Sequence, residues 1–124
     1  MENLKNKEVN EANKQTTQNE VEQYKAKYGK VYRINIEVEP DDCTTINFEY
    51  FFTKPKVASF DRYVKEASKS STRALKVFVL DNIIEEQTEK FMNDLEEYPA
   101  LVLTVGEKLM SMLGMSKDVN LKML

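Results

Sequence analysis

The stretch YRINIEVEPDDCTTINFEYFF, residues 32–52, decides the fold of this chain. Apolar and polar residues alternate over residues 32–39 and, apart from an apolar ending, again over residues 46–52. A period of two is typical of a β-strand with one buried face. Pro40 and the two aspartates that follow it are common turn residues. The stretch therefore predicts an antiparallel β-hairpin, whose apolar face must be covered because two strands alone are marginal in water.

Helical spacing of apolar residues replaces this alternation on both sides of the hairpin. Before it, Val21, Tyr24 and Tyr28 share one helical face, and Gly29 is a plausible stop. After it, residues 57–67 carry an apolar stripe with a spacing of three and four. Residues 74–80 are apolar almost all round. Periodicity leaves residues 77–80 open between helix and buried strand, and we favour helix because no turn signal precedes them.

Two further helices are predicted before the C-terminus. Glu85 and Glu86 favour a helix start, and Pro99 ends that helix at Tyr98. The last helix runs from about residue 101 to Gly114. The fold class is therefore α+β, with an N-terminal helix and a β-hairpin packed against a small bundle of three or four helices. We expect a disordered or frayed tail at residues 1–19, a single α+β domain at residues 20–114, and a flexible apolar tail at residues 115–124.

The composition argues against most catalytic chemistry. The 124 residues include no histidine, three glycines and a single cysteine, Cys43. This composition lacks the residues that a thiolate zinc site, a Walker loop or a dinucleotide fingerprint requires. The carboxylate pairs at residues 41–42, 85–86 and 96–97 are better interpreted as turn and helix-end charges than as acid–base or magnesium sites. We expect no enzyme, no cofactor and no metal.

No apolar run approaches the length of a membrane span, and the N-terminus has no secretory signal pattern. We therefore expect no membrane association and a cytoplasmic location. The net charge of −3 also argues against a general nucleic-acid partner.

The charges are nevertheless segregated along the chain. Residues 54–76 contain seven basic and two acidic residues, a net charge of +5. Residues 85–97 contain six acidic residues and one basic residue, a net charge of −5. We call these the basic segment and the acidic segment. They are compatible with two solvated helix faces, with a charge-paired fold, or with head-to-tail attraction between copies.

The last predicted helix carries more apolar surface than one packing face requires. Four of the six methionines lie in the final fifteen residues, and methionine suits surfaces that accept varied apolar partners. These side chains either fill the core or form a contact surface. We predict a partner-binding face formed by Leu101, Val105, Leu109, Met112 and Leu113.

Short motifs within residues 24–114 resemble a known group of proteins. The motifs are YGKVY at residues 28–32, FFTKP at 51–55, FDRY at 60–63, EYPAL at 97–101 and a final LG at 113–114. In these motifs the chain resembles small phage and prophage proteins that are similar to tail assembly chaperones of long-tailed phages.

The resemblance implies a non-enzymatic role in the cytoplasm of a host cell. Such chaperones coat the apolar, helical tape measure protein until tail-tube subunits polymerise around it. The implied partners are an apolar helical client and further copies of the chain itself, as a homo-oligomer. The alternative is a small phage-encoded binding protein that acts on a host protein or nucleic acid.

The predicted core can be tested by truncation. Phe60, Phe78, Phe91 and Leu95 occupy the most regular helical stripes. We expect Phe91→Ala to cost roughly 2–5 kcal/mol of unfolding free energy, because it removes buried surface and leaves a cavity. Urea denaturation measures this cost. An unchanged midpoint would place Phe91 on the surface.

Overall fold

The computed structural model describes residues 16–124. The predicted α+β fold is confirmed: an N-terminal helix and a two-stranded antiparallel hairpin are followed by several packed helices. The elements are α1 (Gln18–Tyr28), β1 (Tyr32–Asp41), β2 (Thr44–Phe52), α2 (Val57–Ala67), α3 (Ser71–Asn82), a 3-10 turn (Glu85–Gln87), α4 (Thr88–Glu97) and α5 (Leu101–Met112). Residues 77–80 are helical, as favoured from the sequence.

The hairpin has a regular register up to its tip. Tyr32 lies opposite Phe52 and Val38 opposite Ile46, and the pairing becomes irregular between Val38 and Asp41. Pro40 lies in this irregular part, where a missing backbone N–H interrupts no regular ladder. The Asp41 side chain stabilises the tip by accepting a 2.8 Å hydrogen bond from the Cys43 amide. The exposed Cys43 is therefore a turn residue.

The hairpin is covered on both faces of its second strand. Phe48, Tyr50 and Phe52 point into the main core, which they share with α3, α4 and α5. Phe51 points the other way and packs with Val21 of α1 and Ile84. Glu49 on that second face is also buried and pairs with Arg33 at 3.3 Å. Besides the buried face that alternation predicts, β2 therefore has a second covered face, because α1 lies over the side where Glu49 and Phe51 lie.

The outer edge of β2 is covered by residues 82–90. Phe51 donates its amide hydrogen to Gln87 Oε1 at 2.6 Å and accepts from the Ile84 amide at 3.1 Å. The Thr53 amide donates to the Asn82 carbonyl at 2.9 Å, and Lys90 Nζ donates to the Glu49 carbonyl at 3.0 Å. An open strand edge is a template for unwanted pairing, and these contacts occupy it.

Tyr50 carries a polar group into the main core. Its side chain is fully buried, and its ring meets Phe91 edge-on at 5.0 Å. Its hydroxyl donates a hydrogen bond to the Asp94 carboxylate of α4, which satisfies the buried group. Burial, and secondarily this bond to Asp94, raise the pKa of Tyr50 far above its usual value.

Helix α5 packs closely across α3. Gly106 is buried at this crossing, and a Cβ atom built there would lie 2.6 Å from Leu75 Cδ1 and 2.9 Å from Leu75 Cγ. Glycine is unfavourable inside a helix, so its presence here is explained by the close approach. The absence of a side chain at Gly106 therefore makes room for the Leu75 side chain at this crossing.

The described helices and strands begin at Gln18 and end at Met112. Of the expected N-terminal tail, residues 1–15 lie outside the described residues, and α1 begins at Gln18, two residues before the predicted domain start. Thr17 and Glu20 form a capping box at that start. Residues 115–124 contain no helix or strand. No helix among residues 16–124 has the length and apolar character that crossing a membrane requires.

The α3–α5 crossing predicts a change of sign in a double-mutant cycle. Alanine is favoured over glycine in a helix by about 1 kcal/mol, but overpacking a core costs about 1–3 kcal/mol. We expect Gly106→Ala to destabilise the wild type and to stabilise the Leu75→Ala variant, which lacks the clashing atoms. Urea denaturation of the four proteins measures both effects. Equal shifts in the two backgrounds would show that Leu75 does not constrain Gly106.

The buried Tyr50 predicts a loss of stability at alkaline pH. The folded state keeps the phenol proton, whereas the unfolded chain releases it above the usual pKa of about 10. Its contribution is therefore complete below about pH 10 and declines as the pH rises further. Tyr50→Phe should be less stable at neutral pH but lose less stability between about pH 9 and about pH 11. If wild type and Tyr50→Phe lost the same stability over this pH range, the alkaline loss could not be assigned to Tyr50.

Candidate functional site

The predicted partner-binding face on the last helix is mostly core. Leu101, Val105 and Leu109 are only 3%, 0% and 0% exposed, so the expectation that they form an accessible face is wrong. The physical reason is that α5 packs against both α3 and β1, and two neighbours absorb an apolar stripe that is wider than one face. Met112 and Leu113 are half-buried against the same core.

Exposed apolar surface continues beyond the end of α5 instead. Gly114 has a φ of +106°, a left-handed conformation that ends the helix. Met115 is 52% exposed, and the apolar residues that follow it are at least 81% exposed. We call residues 115–124 the C-terminal segment. Its exposed apolar side chains are Met115, Val119, Leu121, Met123 and Leu124.

Within residues 16–124, the contacts that attach the C-terminal segment to the domain lie near the start of the segment. Lys117 Nζ lies 3.0 Å from Glu107 Oε1 of α5. The Ser116 hydroxyl donates to the Asp118 carbonyl and accepts from the Asp118 amide, both at 3.1 Å. Among the described contacts, none joins the residues after Asp118 to the core. The most apolar part of the segment is therefore presented to solvent.

A second candidate surface is a groove between α2 and α3. We call it the α2–α3 groove; its volume is about 180 Å³. Its apolar lining consists of Tyr63, Ala74, Val77 and Phe78, and its charged lining consists of Arg62, Lys69, Arg73 and Glu66. No residue of α2 is buried, and Val77 of α3 is 42% exposed. Helix α2 thus lies at the periphery, with an apolar stripe that the domain covers only in part.

Polar contacts fix one end of this groove. Arg62 of α2 pairs with Asp81 of α3, and the Ser59 hydroxyl donates to Asp81 Oδ2 at 3.2 Å. Asn82 is buried and donates through Nδ2 to Ser59 Oγ at 3.2 Å and to the Phe78 carbonyl at 2.7 Å. The spacing of the two helices is therefore set by a hydrogen-bonded network as well as by the contact between Tyr63 and Phe78.

The basic and acidic segments do not pair with each other within one molecule. In residues 16–124, no ion pair joins the basic segment to the acidic segment. Arg62 of the basic segment pairs instead with Asp81, which belongs to neither segment. The charge-paired fold considered from the sequence is therefore not what the structure forms. The acidic segment contacts α1 through Glu85 and Glu86. The Tyr28 hydroxyl donates to the Glu86 carboxylate and accepts from the Glu85 amide at 3.2 Å, and Lys27 Nζ lies 3.3 Å from Glu86 Oε2. The bond from Tyr28 is the main reason that the pKa of Glu86 lies below its usual value.

The three carboxylate pairs belong to different elements and have different roles. Asp41 stabilises the hairpin tip, Glu86 bonds to α1, and Glu96 and Glu97 are exposed on α4. Within the described part of the chain, no three His, Cys, Asp or Glu side chains are grouped so that they could hold a metal ion.

Sequence reasoning identified the charges that line the α2–α3 groove but not the groove. The apolar stripe of α2 predicts an ordinary buried face. In the structure this face is only partly covered, because Val64 and Val77 remain partly exposed. In the sequence, the signal that points to this surface is the set of seven basic residues from Lys54 to Lys76.

Comparison with known proteins assigns the chain to a family. None of the curated proteins matches it. The solved structure of the uncharacterised protein rbstp2171 from Bacillus stearothermophilus is similar, with a TM-score of 0.68 and 32% sequence identity. The similarity covers 82% of this chain and 99% of that one. The family model described as domain of unknown function DUF6848 matches residues 24–122, and the chain therefore belongs to the DUF6848 family.

Proposed function

We propose that this protein is a phage tail assembly chaperone, which masks apolar helical segments of a tape measure protein during tail morphogenesis. The role comes from the resemblance of residues 24–114 to such chaperones. The structural observation that supports it is the exposed apolar C-terminal segment, since exposed apolar surface of this kind commonly marks an interaction site. In this proposal the protein is not an enzyme, acts in the cytoplasm of the host cell and forms a homo-oligomer.

The C-terminal segment has a spacing that suits contact with a helix. Met115, Val119 and Met123 are each four residues apart, and residues with this spacing share one face when a chain is helical. No proline lies between Gly114 and Leu124 to prevent a helix. We therefore propose that the segment becomes helical on the client and lays this face along it.

The energetics favour reversible binding. Burying one aliphatic side chain gains about 1.5–3 kcal/mol, whereas ordering the backbone of one residue costs about 1–2 kcal/mol. The five exposed apolar residues of the C-terminal segment must repay the ordering of most of its ten residues. The two contributions are similar in size, so each copy binds weakly. Weak contacts repeated over many copies suit a coat that tail-tube subunits must later displace.

Polar substitution of the C-terminal segment tests the proposal. We expect the triple variant Met115→Ser, Val119→Ser, Met123→Ser to lose the client in a co-expression pull-down with a tape measure fragment. Its melting temperature should stay within a few degrees of wild type, because these side chains contact no core cluster among the described residues. Val57→Ser is the matched control, since Val57 is 74% exposed but lies on α2.

Two results would count against this function. One is a triple variant that folds and retains the client as well as wild type. The other is wild-type protein that captures no tape measure fragment but binds a host protein or nucleic acid, which would favour the alternative of a phage-encoded binding protein.

A further inference from the structure

We propose that the α2–α3 groove binds the acidic face of α4 from a second copy of this chain. The inference deepens the self-association within the proposed function by naming its two surfaces. It is tested without a client, so that its failure is distinguishable from failure of the chaperone role.

The groove combines an apolar floor with a basic rim. Tyr63, Val77 and Phe78 contribute apolar surface, and the volume of about 180 Å³ slightly exceeds the roughly 150 Å³ of a protein cavity that accepts benzene. One flexible apolar side chain therefore fits. Lys69 and Arg73 line the rim, and neither takes part in an ion pair within residues 16–124.

The exposed face of α4 has the complementary arrangement. Glu89, Met92 and Glu96 lie at a spacing of three and four residues, on one side of the helix. Met92 is 36% exposed and is flanked by the two carboxylates. The seven helical steps from Glu89 to Glu96 span about 10 Å along the helix axis. In the docked arrangement Met92 enters the groove while the carboxylates reach the basic rim on either side.

The neighbouring charges are consistent with this orientation. Glu66 is the acidic residue in the groove lining, and the basic side chains outnumber it. Lys90, the one basic residue of the acidic segment, is directed inward: its Nζ donates to the Glu49 carbonyl and lies 5.2 Å from the centre of the Tyr50 ring. The outward face of α4 is therefore acidic, and the two segments, at +5 and −5, attract each other between copies.

The contact uses two different surfaces, so each copy offers one of each. A contact of this kind is heterologous. Repeated from copy to copy, it forms a ring if the rotation between neighbours closes, and an open helical array if it does not. An open array has the form that coating a long client needs, and the C-terminal segment lies outside both contact surfaces.

Charge reversal on each surface tests the inference with full-length protein. One variant carries Glu89→Lys and Glu96→Lys, and the other carries Lys69→Glu and Arg73→Glu. A control with Glu37→Lys and Glu39→Lys on β1 makes the same change in net charge as the first of these variants, on exposed residues elsewhere. Sedimentation velocity is recorded at about 0.1 M and about 1 M salt, where the screening length falls from about 10 Å to about 3 Å.

The expected result is a wild type that associates at low salt and dissociates at high salt. Each reversed variant should be monomeric, the control should associate like wild type, and an equimolar mixture of the two reversed variants should associate again. Restoration is expected because the mixture pairs the unchanged groove of one variant with the unchanged α4 of the other. Circular dichroism checks that each variant folds.

Several results would overturn the inference. These are a wild type that is monomeric at every concentration and salt, a control that dissociates as fully as the two reversed variants, or a folded mixture that stays monomeric. A labelled single-stranded oligonucleotide provides a further test by fluorescence anisotropy. If wild type binds it and the Lys69→Glu, Arg73→Glu variant does not, while self-association is absent, the groove is a nucleic-acid site instead.

Discussion

The covered edge of β2 is the constraint on which the rest of the structure depends. A hairpin alone is marginal in water, and here its second strand pairs with β1 on one side and with residues 82–90 on the other. The Phe51 backbone makes both of its outward hydrogen bonds to that segment. Because the segment joins α3 to α4, pairing at this edge also places those helices against the hairpin. Local strand formation and the global helix arrangement are therefore coupled.

This coupling explains which surfaces remain available. With α1 on one face of β2 and the helices on the other, the central elements are buried on several sides, and α5 becomes core. Exposed apolar side chains remain along α2 and α3 and in the C-terminal segment, and singly elsewhere, as at Met92 of α4 and Leu103 of α5. The α2–α3 groove is bordered by Lys69 and Arg73, which take part in no ion pair within residues 16–124, and the C-terminal segment exposes five apolar side chains. The groove therefore suits an acidic partner, and the C-terminal segment suits an apolar one.

Local periodicity was sufficient for the elements of the fold but not for their surroundings. Alternation predicts the hairpin, and the lack of a turn signal before residues 77–80 favours a helix at α3, because both signals are local. The burial of Phe51 could not be predicted, since it depends on α1 packing across the hairpin. Leu101, Val105 and Leu109 were assigned to a contact face because a stripe on one helix does not reveal how many neighbours cover it. The segregated charges were visible, whereas the groove depends on how α2 and α3 pack.

In these proposals the client and the neighbouring copy bind to separate surfaces, while the hydrophobic core stays unchanged. Hydrogen exchange of the full-length protein with and without a tape measure fragment, at high salt where self-association is screened, tests this most directly. We predict that the client increases protection in residues 115–124 and leaves β2 and the α2–α3 groove unchanged. Protection that appears in α2 and α3 but not in residues 115–124 would contradict the account.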